Sequence, residues 1–238
     1  MQNATGGAVA YCRDMNVIVT GANRGIGLEL VRQLVARGAR VEAACRRPGS
    51  AAELQATGAR LHAVDVGDDA SVAAFARVLH DTPIDLVINN AGIYGNPRQR
   101  LMDFDYRSAL AAFDTNALGA LRMSQAFVPH LRRGTGKKLV HISSAMGGIT
   151  ATTAPGDLAY RMSKAALNLM SRSIALELHD DRIVSVVIHP GWVRTDMGGP
   201  HAPLLAADAA RGILAQADAL KLSDSGEFLD WKGAKVGW

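Results

Sequence analysis

Tyr160 and Lys164 stand four residues apart in the run AYRMSKAA. On a helix this spacing puts both side chains on one face, within reach of a common ligand. A tyrosine is a poor acid or base near neutrality, with a reference pKa of about 10. A neighbouring positive charge favours the phenolate, and a shift of about three units corresponds to roughly 4 kcal/mol of differential stabilisation. Such a tyrosine can exchange a proton with a substrate oxygen. The pattern YxxxK alone is equally an ordinary surface pair, so its meaning depends on what surrounds it. Upstream, HISSAMGG places Ser143 and Ser144 at the end of an apolar run. Side chains alternate along a strand, so only one of the two serines can face a crevice there.

A second group of residues fits a phosphate-bearing ligand. The run VIVT at 17–20 leads into TGANRGIG, with Gly21, Gly25 and Gly27 at the turn and the start of a helix. Glycines suit a tight turn whose backbone must approach a pyrophosphate, and the helix amino terminus offers free N–H groups to that anion. The spacing GxxxGxG is a variant of the usual dinucleotide pattern, and Asn23 and Ile26 are read with the glycines as contacts. A site of this kind usually carries an acid about 20 positions on, for the ribose 2′-hydroxyl. This chain has Cys45, Arg46 and Arg47 there. Arg46 would instead pair with a 2′-phosphate, and Arg24 could clamp the same group. NADP(H) is therefore the expected cofactor, with NAD(H) possible; the plain alternative is that either arginine lies in solvent at a strand end. Asp65 closes the third apolar run, where it could accept from an adenine amino group while Val66 packs on the ring, or could cap the next helix. In NNAG, Asn89 and Asn90 are expected to tie neighbouring strands, and Ala91 and Gly92 let a cofactor lie against the backbone.

These groups need elements to hold them. From Asn16 onward, short β-branched runs alternate with amphipathic ones, as in a doubly wound parallel α/β sheet. Strands are expected at 17–20, 39–45, 59–66, 85–90, 138–143 and 183–190, with a shorter one at 226–229. Helices are expected to start near Gly25, Ala51, Ser71, Tyr106, Ala159 and Ala207. Strands that are nearly continuous in apolar residues are buried on both faces, which leaves functional groups to gather at their carboxyl ends. The segment 196–205, with Gly198, Gly199, Pro200 and Pro203, has the composition of a short mobile lid, which points to an open pocket and loose substrate selection.

Composition narrows the function classes. The 238 residues are 48% hydrophobic with a mean hydropathy of +0.06, which suits one domain with a full core. Residues 1–14 read as a flexible arm before a single domain at 15–238, and Met15 could be the natural start. The net charge of +4 is compatible with an anionic ligand but does not imply nucleic acid. The densest basic group, Arg132, Arg133, Lys137 and Lys138, reads as a solvated loop. Two cysteines, Cys12 and Cys45, give no disulfide framework and suit a reducing cytoplasm. No signal peptide, membrane segment or metal site is evident.

In order, TGANRGIG, NNAG, ISS, YRMSK and HPGWVRTDMGG resemble the short-chain dehydrogenase/reductase family, over essentially the whole chain from Val17. DFDYRSALAAFDTNALGAL, YRMSKAALN, HPGWVRTDMGG and the terminal FLDWKGAKVGW are similar to its branch of C-factor-like signalling proteins and sniffer-type carbonyl reductases. The resemblance implies a single Rossmann domain of about seven strands. It also implies that Tyr160 donates a proton to a ketone or aldehyde, that Lys164 holds the nicotinamide ribose and lowers the Tyr160 pKa, and that Ser144 binds the carbonyl oxygen. Asn116 would hold a water that relays protons towards Lys164. Pro190 and Gly191 would turn beneath the nicotinamide, with the Val193 backbone and the Thr195 hydroxyl on its carboxamide. Trp192 is either a pocket wall or core. The stretch between Ser144 and Tyr160 is longer than the family's usual spacing and is expected to bulge at the pocket mouth. The partner implied is a small carbonyl or alcohol, with a homodimer or homotetramer possible. The competing expectation is a nucleotide-binding signalling protein with little or no turnover.

Overall fold

Runs of valine and isoleucine too short for helices form the strands of one parallel sheet, which the computed structural model describes within residues 14–97 and 99–238. They are β1 (Asn16–Thr20), β2 (Arg40–Cys45), β3 (Arg60–Ala63), β4 (Leu86–Asn89), β5 (Lys138–Ile142) and β6 (Val184–His189). A two-residue pair, β7 (Val193–Arg194) and β8 (Leu204–Leu205), stands apart, and β9 (Phe228–Asp230) completes the main sheet. Its order is β3-β2-β1-β4-β5-β6-β9, all parallel. Positions 1–13 of the expected arm, with Cys12, and Arg98 lie outside the described residues.

The helices cover both faces, as the near-continuous apolar strands require. Helices α1 (Gly25–Ala36) and α7 (Ala206–Ala219) pack Leu30, Val31, Leu34, Ile213 and Leu214 on the face that carries Val17 and Val19. On the other face, α3 (Asp69–Leu79), α5 (Gly119–Arg133) and α6 (Leu158–Glu177) bring Phe75, Phe127, Leu131 and Ile174 against Ile18. A short α2 (Ala52–Gln55) follows β2, and α4 (Tyr106–Phe113) runs into α5 through a π turn at Asp114–Leu118. The strand order reverses between β1 and β4, and open sheets of this type bind ligands at that point, outside the strands' carboxyl ends.

Three local expectations need correction. The third strand ends at Ala63, not at residue 66, because Asp65 folds into a turn and its Oδ1 accepts from Gly67 N at 3.0 Å. The cap of α3 is Asp68, which accepts from Ala70 N and Ser71 N, so Asp65 is not spent on capping. Lys138 is no solvated loop residue. It is buried, and its ammonium donates to Ala217 O at 2.7 Å and Asp218 O at 3.3 Å, carbonyls at the end of α7. A helix carboxyl terminus is a favourable place for a cation.

Asp85, also buried, fastens the amino ends of β1, β4 and β5. It accepts from Asn16 N at 2.9 Å, Thr135 N at 2.8 Å, Thr135 Oγ1 at 2.9 Å and Gly136 N at 3.0 Å. Burial pushes its carboxyl up, but the hydrogen bonds together outweigh burial and hold it below its ordinary value. Its stabilisation is therefore present above pH about 4, the unfolded value, and is lost as pH falls through the lower folded one. Asp85→Asn turns an N–H towards one of these donors, and the expected loss is about 2 kcal/mol in urea unfolding at pH 7, shrinking in acid. An unchanged midpoint at pH 7 would contradict this role.

Candidate active site

The carboxyl ends of β1, β4, β5 and β6 frame a cleft of about 630 Å³, within the usual size of cofactor sites. Its end at the glycine-rich turn rests on ties across the strand reversal. Thr20 Oγ1 accepts from Asn90 N and Ala91 N, both at 3.0 Å, and Asn90 Nδ2 donates to Thr20 O at 2.9 Å and Gly21 O at 3.2 Å. Gly21 has φ of 63°, and a Cβ there would stand 2.8 Å from Ala91 Cα. At Gly27 a Cβ would stand 2.2 Å from Gly21 O, so the helix start is pressed onto the turn. Asn89 also ties elements as expected, with Nδ2 3.1 Å from His141 Nδ1 and 3.3 Å from Ser124 Oγ.

Every residue read as a cofactor contact lines this cleft except Gly191 and Val193. Val193 is buried, and Gly191 turns at φ of 86° against Leu204 and Trp231. Thr195 lines the cleft, yet its hydroxyl accepts from Gly198 N at 3.1 Å and donates to Val193 O at 3.4 Å. The segment expected as a lid is thus tied into its own loop, and β7 pairs with β8 at its two ends. Trp192 is neither core nor cleft wall: it is exposed, and its indole N–H donates to Gly198 O at 2.8 Å.

The two arginines differ. Arg46 is exposed at the cleft wall with no acid partner among the described residues. Arg24 reaches Asp196 at 2.8 Å, both side chains being exposed. Pairs of this kind contribute about 0–1 kcal/mol, so Arg24 can exchange Asp196 for a phosphate at little cost.

At the other end stand Tyr160, Ser144 and Lys164. Tyr160 and Lys164 share one face of α6, as their spacing predicts, and both line the cleft. Ser144 stands close enough to Tyr160 to draw its phenol down, while its Oγ accepts from Met146 N at 3.1 Å. Ser143, not Ser144, is the serine among the cleft-lining residues, but its hydroxyl is spent, donating to Asn168 Oδ1 at 2.5 Å. Burial pushes the Tyr160 phenol above its ordinary value, Ser144 draws it back, and Tyr94 adds to the rise. The expected lowering by Lys164 is not found among the protein's own groups: its ammonium lies 5.8 Å from the Tyr160 ring centre and donates to Ile142 O at 2.8 Å. Burial pushes Lys164 itself down to about 8. His141, fully buried behind it, is pushed down to about 3 by burial and then by Lys164, which leaves it neutral and unsuited to competing as an acid.

Asn116 sits in the π turn rather than in a regular helix, and such turns recur at functional sites. Its side chain is already engaged. Nδ2 donates to Ile93 O at 2.8 Å and Ser163 Oγ at 2.9 Å, and Oδ1 accepts from Ile93 N at 2.8 Å. It holds the backbone just past NNAG, with Gly92 packed between it and Lys164. Sequence reasoning missed Tyr94, whose ring stacks on Tyr160 with centroids 4.4 Å apart and planes 18° from parallel. Burial and the Asp157 carboxylate push its phenol up to about 12. Met197 and Asp196 also line the cleft; they lie in the segment 196–205, which the sequence marks only by its lid composition.

Residues 15–203 match the short chain dehydrogenase family. The chain belongs to that family of oxidoreductases. As a short-chain dehydrogenase it is 46% identical over 165 residues to C-signal of Myxococcus xanthus, covering 69% of this chain and 99% of that protein. The NADPH-bound carbonyl reductase from chicken fatty liver matches with a TM-score of 0.88 and 34% identity, over 95% of this chain and 100% of that one. The carbonyl reductase Sniffer of D. melanogaster gives 0.89 at 28% identity, with the same coverage. These neighbours confirm the Rossmann-type fold and the branch to which the sequence pointed. No helix among the described residues of this short-chain dehydrogenase is long and apolar enough to cross a membrane.

Proposed function

We propose that this chain reduces a ketone or aldehyde with NADPH, with Tyr160 as the proton donor. The observation that carries this reading is one cleft with the glycine-rich turn and Arg46 at one end and Tyr160 and Lys164 at the other, with Ser144 beside Tyr160. The likeness to carbonyl reductases, one of them NADPH-bound, supports it. The residues present fit a phosphorylated dinucleotide: the start of α1 is pressed onto the glycine-rich turn, with no room for a Cβ at Gly27, and Arg46 has no acid partner among the described residues. Bound NADPH would supply the hydride for the carbonyl carbon.

The chain's own residues supply the proton and the polar frame. The Tyr160 phenol gives its proton to the carbonyl oxygen, which becomes the alcohol hydroxyl. Burial keeps the phenol protonated at neutral pH and makes it a weaker acid than a free tyrosine, so the proton moves only as negative charge develops on the carbonyl oxygen. Ser144, held by the Met146 N–H on one lone pair, turns its own hydrogen towards that oxygen. Lys164 spends one ammonium hydrogen on Ile142 O and has two left for ribose hydroxyls. Asn116 secures the Ile93 backbone with its side chain, so a relay water would be held by an atom of Asn116 other than its two engaged amide hydrogens.

A panel of aldehydes and ketones, assayed by NADPH oxidation, tests the reading. Consumption with at least one of them is expected, and tight NADPH binding without turnover on any would overturn it. That second result is what the 46% identity to C-signal would favour, a nucleotide-binding signalling protein. Cofactor choice is tested separately. Arg46→Asp should raise the KM for NADPH about 10- to 100-fold, the worth of one charge-assisted bond, and improve NADH. An unaltered NADPH to NADH ratio would remove Arg46 from the phosphate site.

A further inference from the structure

The terminal run FLDWKGAKVGW takes no part in the chemistry above, yet its last residues reach the loop that begins at Ser144. After β9 the chain reverses around Asp230, whose Oδ1 accepts from Lys232 N at 2.8 Å and Ala234 N at 2.9 Å. The returning segment pairs back on β9, with Val236 N donating to Phe228 O at 2.8 Å and an antiparallel bridge between Leu229 and Lys235. This carries Trp238 over Phe228, ring centres 5.5 Å apart, and beside the Arg172 guanidinium at 5.5 Å. Arg172 is itself fixed by Gly226 O at 3.0 Å.

So anchored, the backbone oxygen of Trp238 accepts two hydrogen bonds from one residue, Thr150 N at 2.8 Å and Thr150 Oγ1 at 2.6 Å. The backbones also touch next to this, since a Cβ on Gly148 would stand 2.6 Å from Gly237 O. Thr150 lies in the middle of the stretch that is longer than the family's usual spacing. That stretch starts at the reacting end of the cleft. Met146 N holds Ser144 Oγ at 3.1 Å, the Met146 sulfur lies 3.9 Å from the Tyr94 hydroxyl, and Gly147 is pressed on the Lys164 backbone. Past that point Ile149 is 80% exposed. A loop with so few buried apolar contacts belongs to the readily opened part of a structure unless something ties it down.

We propose that Trp238 is a positioning residue: through Thr150 it straps the loop 145–152 and so sets which carbonyl substituents the Ser144 and Tyr160 end of the cleft admits. The part concerning substituents rests on the reductase reading. Met146 beside Tyr94, where this loop meets the ring stacked on Tyr160, is suited to apolar and aromatic groups on the carbonyl carbon.

The test uses the full chain, the chain truncated after Val236, Thr150→Val and Trp238→Phe. Amide hydrogen exchange of residues 145–152 should rise about tenfold or more in the truncated chain, less in Thr150→Val, and stay near the parent in Trp238→Phe, which keeps the oxygen and an aromatic ring. With a small aldehyde and a bulky aryl ketone, truncation should change the ratio of their KM values about tenfold, leaving kcat and NADPH affinity within about threefold. Unchanged exchange in a folded truncated chain or in Thr150→Val overturns the strap. Equal losses for both carbonyls and for NADPH, in step with a lower Tm, overturn the positioning role and leave a purely structural one. If the full chain reduces neither carbonyl, the reductase reading fails on its own, and the exchange measurement still decides the strap.

Discussion

Tyr160→Phe is expected to lower kcat by about 10²–10⁴-fold while leaving NADPH affinity within about twofold. General acid catalysis contributes about this factor, some 3–5 kcal/mol of barrier. The substitution removes one oxygen and little else. Tyr160 is 7% exposed, and its ring, which Phe retains, stacks on Tyr94. What is lost is the hydroxyl beside Ser144, whose Oγ keeps the Met146 N–H. Lys164 stays anchored on Ile142 O, so the ribose contact it would make is not disturbed. Single-turnover kinetics with saturating NADPH, beside a fluorescence titration of the cofactor, separate the two quantities. Full activity in this variant would sink the proton-donor assignment, and a parallel loss of NADPH binding would make Tyr160 a cofactor residue first.

What could be seen in the sequence follows the range of the interaction. The glycines of TGANRGIG, the amides of NNAG and the four-residue spacing of Tyr160 and Lys164 are local demands. A left-handed turn, a close backbone approach or a shared helix face leaves its mark on residue types within a few positions. The apolar runs fixed the strand sequence for the same reason, and missed chiefly at the ends, where Asp65 and Asp68 compete to stop β3 and start α3. Contacts made across the fold leave no such mark. Tyr94 is one tyrosine in a loop until α6 places Tyr160 under it. Lys138 looks like part of a basic surface run until the end of α7 arrives to accept its ammonium. The Thr195 hydroxyl, read as a cofactor group, is met first by Gly198 N in its own loop. The resemblance to a family supplied Ser144 and Asn116, which no spacing singled out, but not how Asn116 uses its amide.

Gly27→Val is the variant expected to cost the nucleotide end most. The start of α1 is fixed from two sides. Leu30, Val31 and Leu34 bind it to the sheet and to α7, and at Gly27 the helix backbone lies directly on the turn. Any Cβ there would come within 2.2 Å of Gly21 O and 2.5 Å of Asn90 Nδ2. Neither neighbour can yield freely. Gly21 is held at φ of 63° with no room towards Ala91, and Asn90 is committed to Thr20 O and Gly21 O. The helix must therefore lift by something on the order of 1 Å, and its first N–H groups leave the line on which they would meet a pyrophosphate. Displacements of this size cost about 10²-fold where geometry is preorganised. NADPH affinity should fall by at least that factor, with circular dichroism retaining the helical signal of α5 and α6, which pack on the opposite face of the sheet. Because the reacting end is untouched, saturating NADPH should recover much of kcat, whereas Tyr160→Phe is not rescued by any cofactor concentration. Wild-type NADPH affinity in Gly27→Val would mean that the turn does not bear the pyrophosphate, and the assignment of the nucleotide end would fall with it.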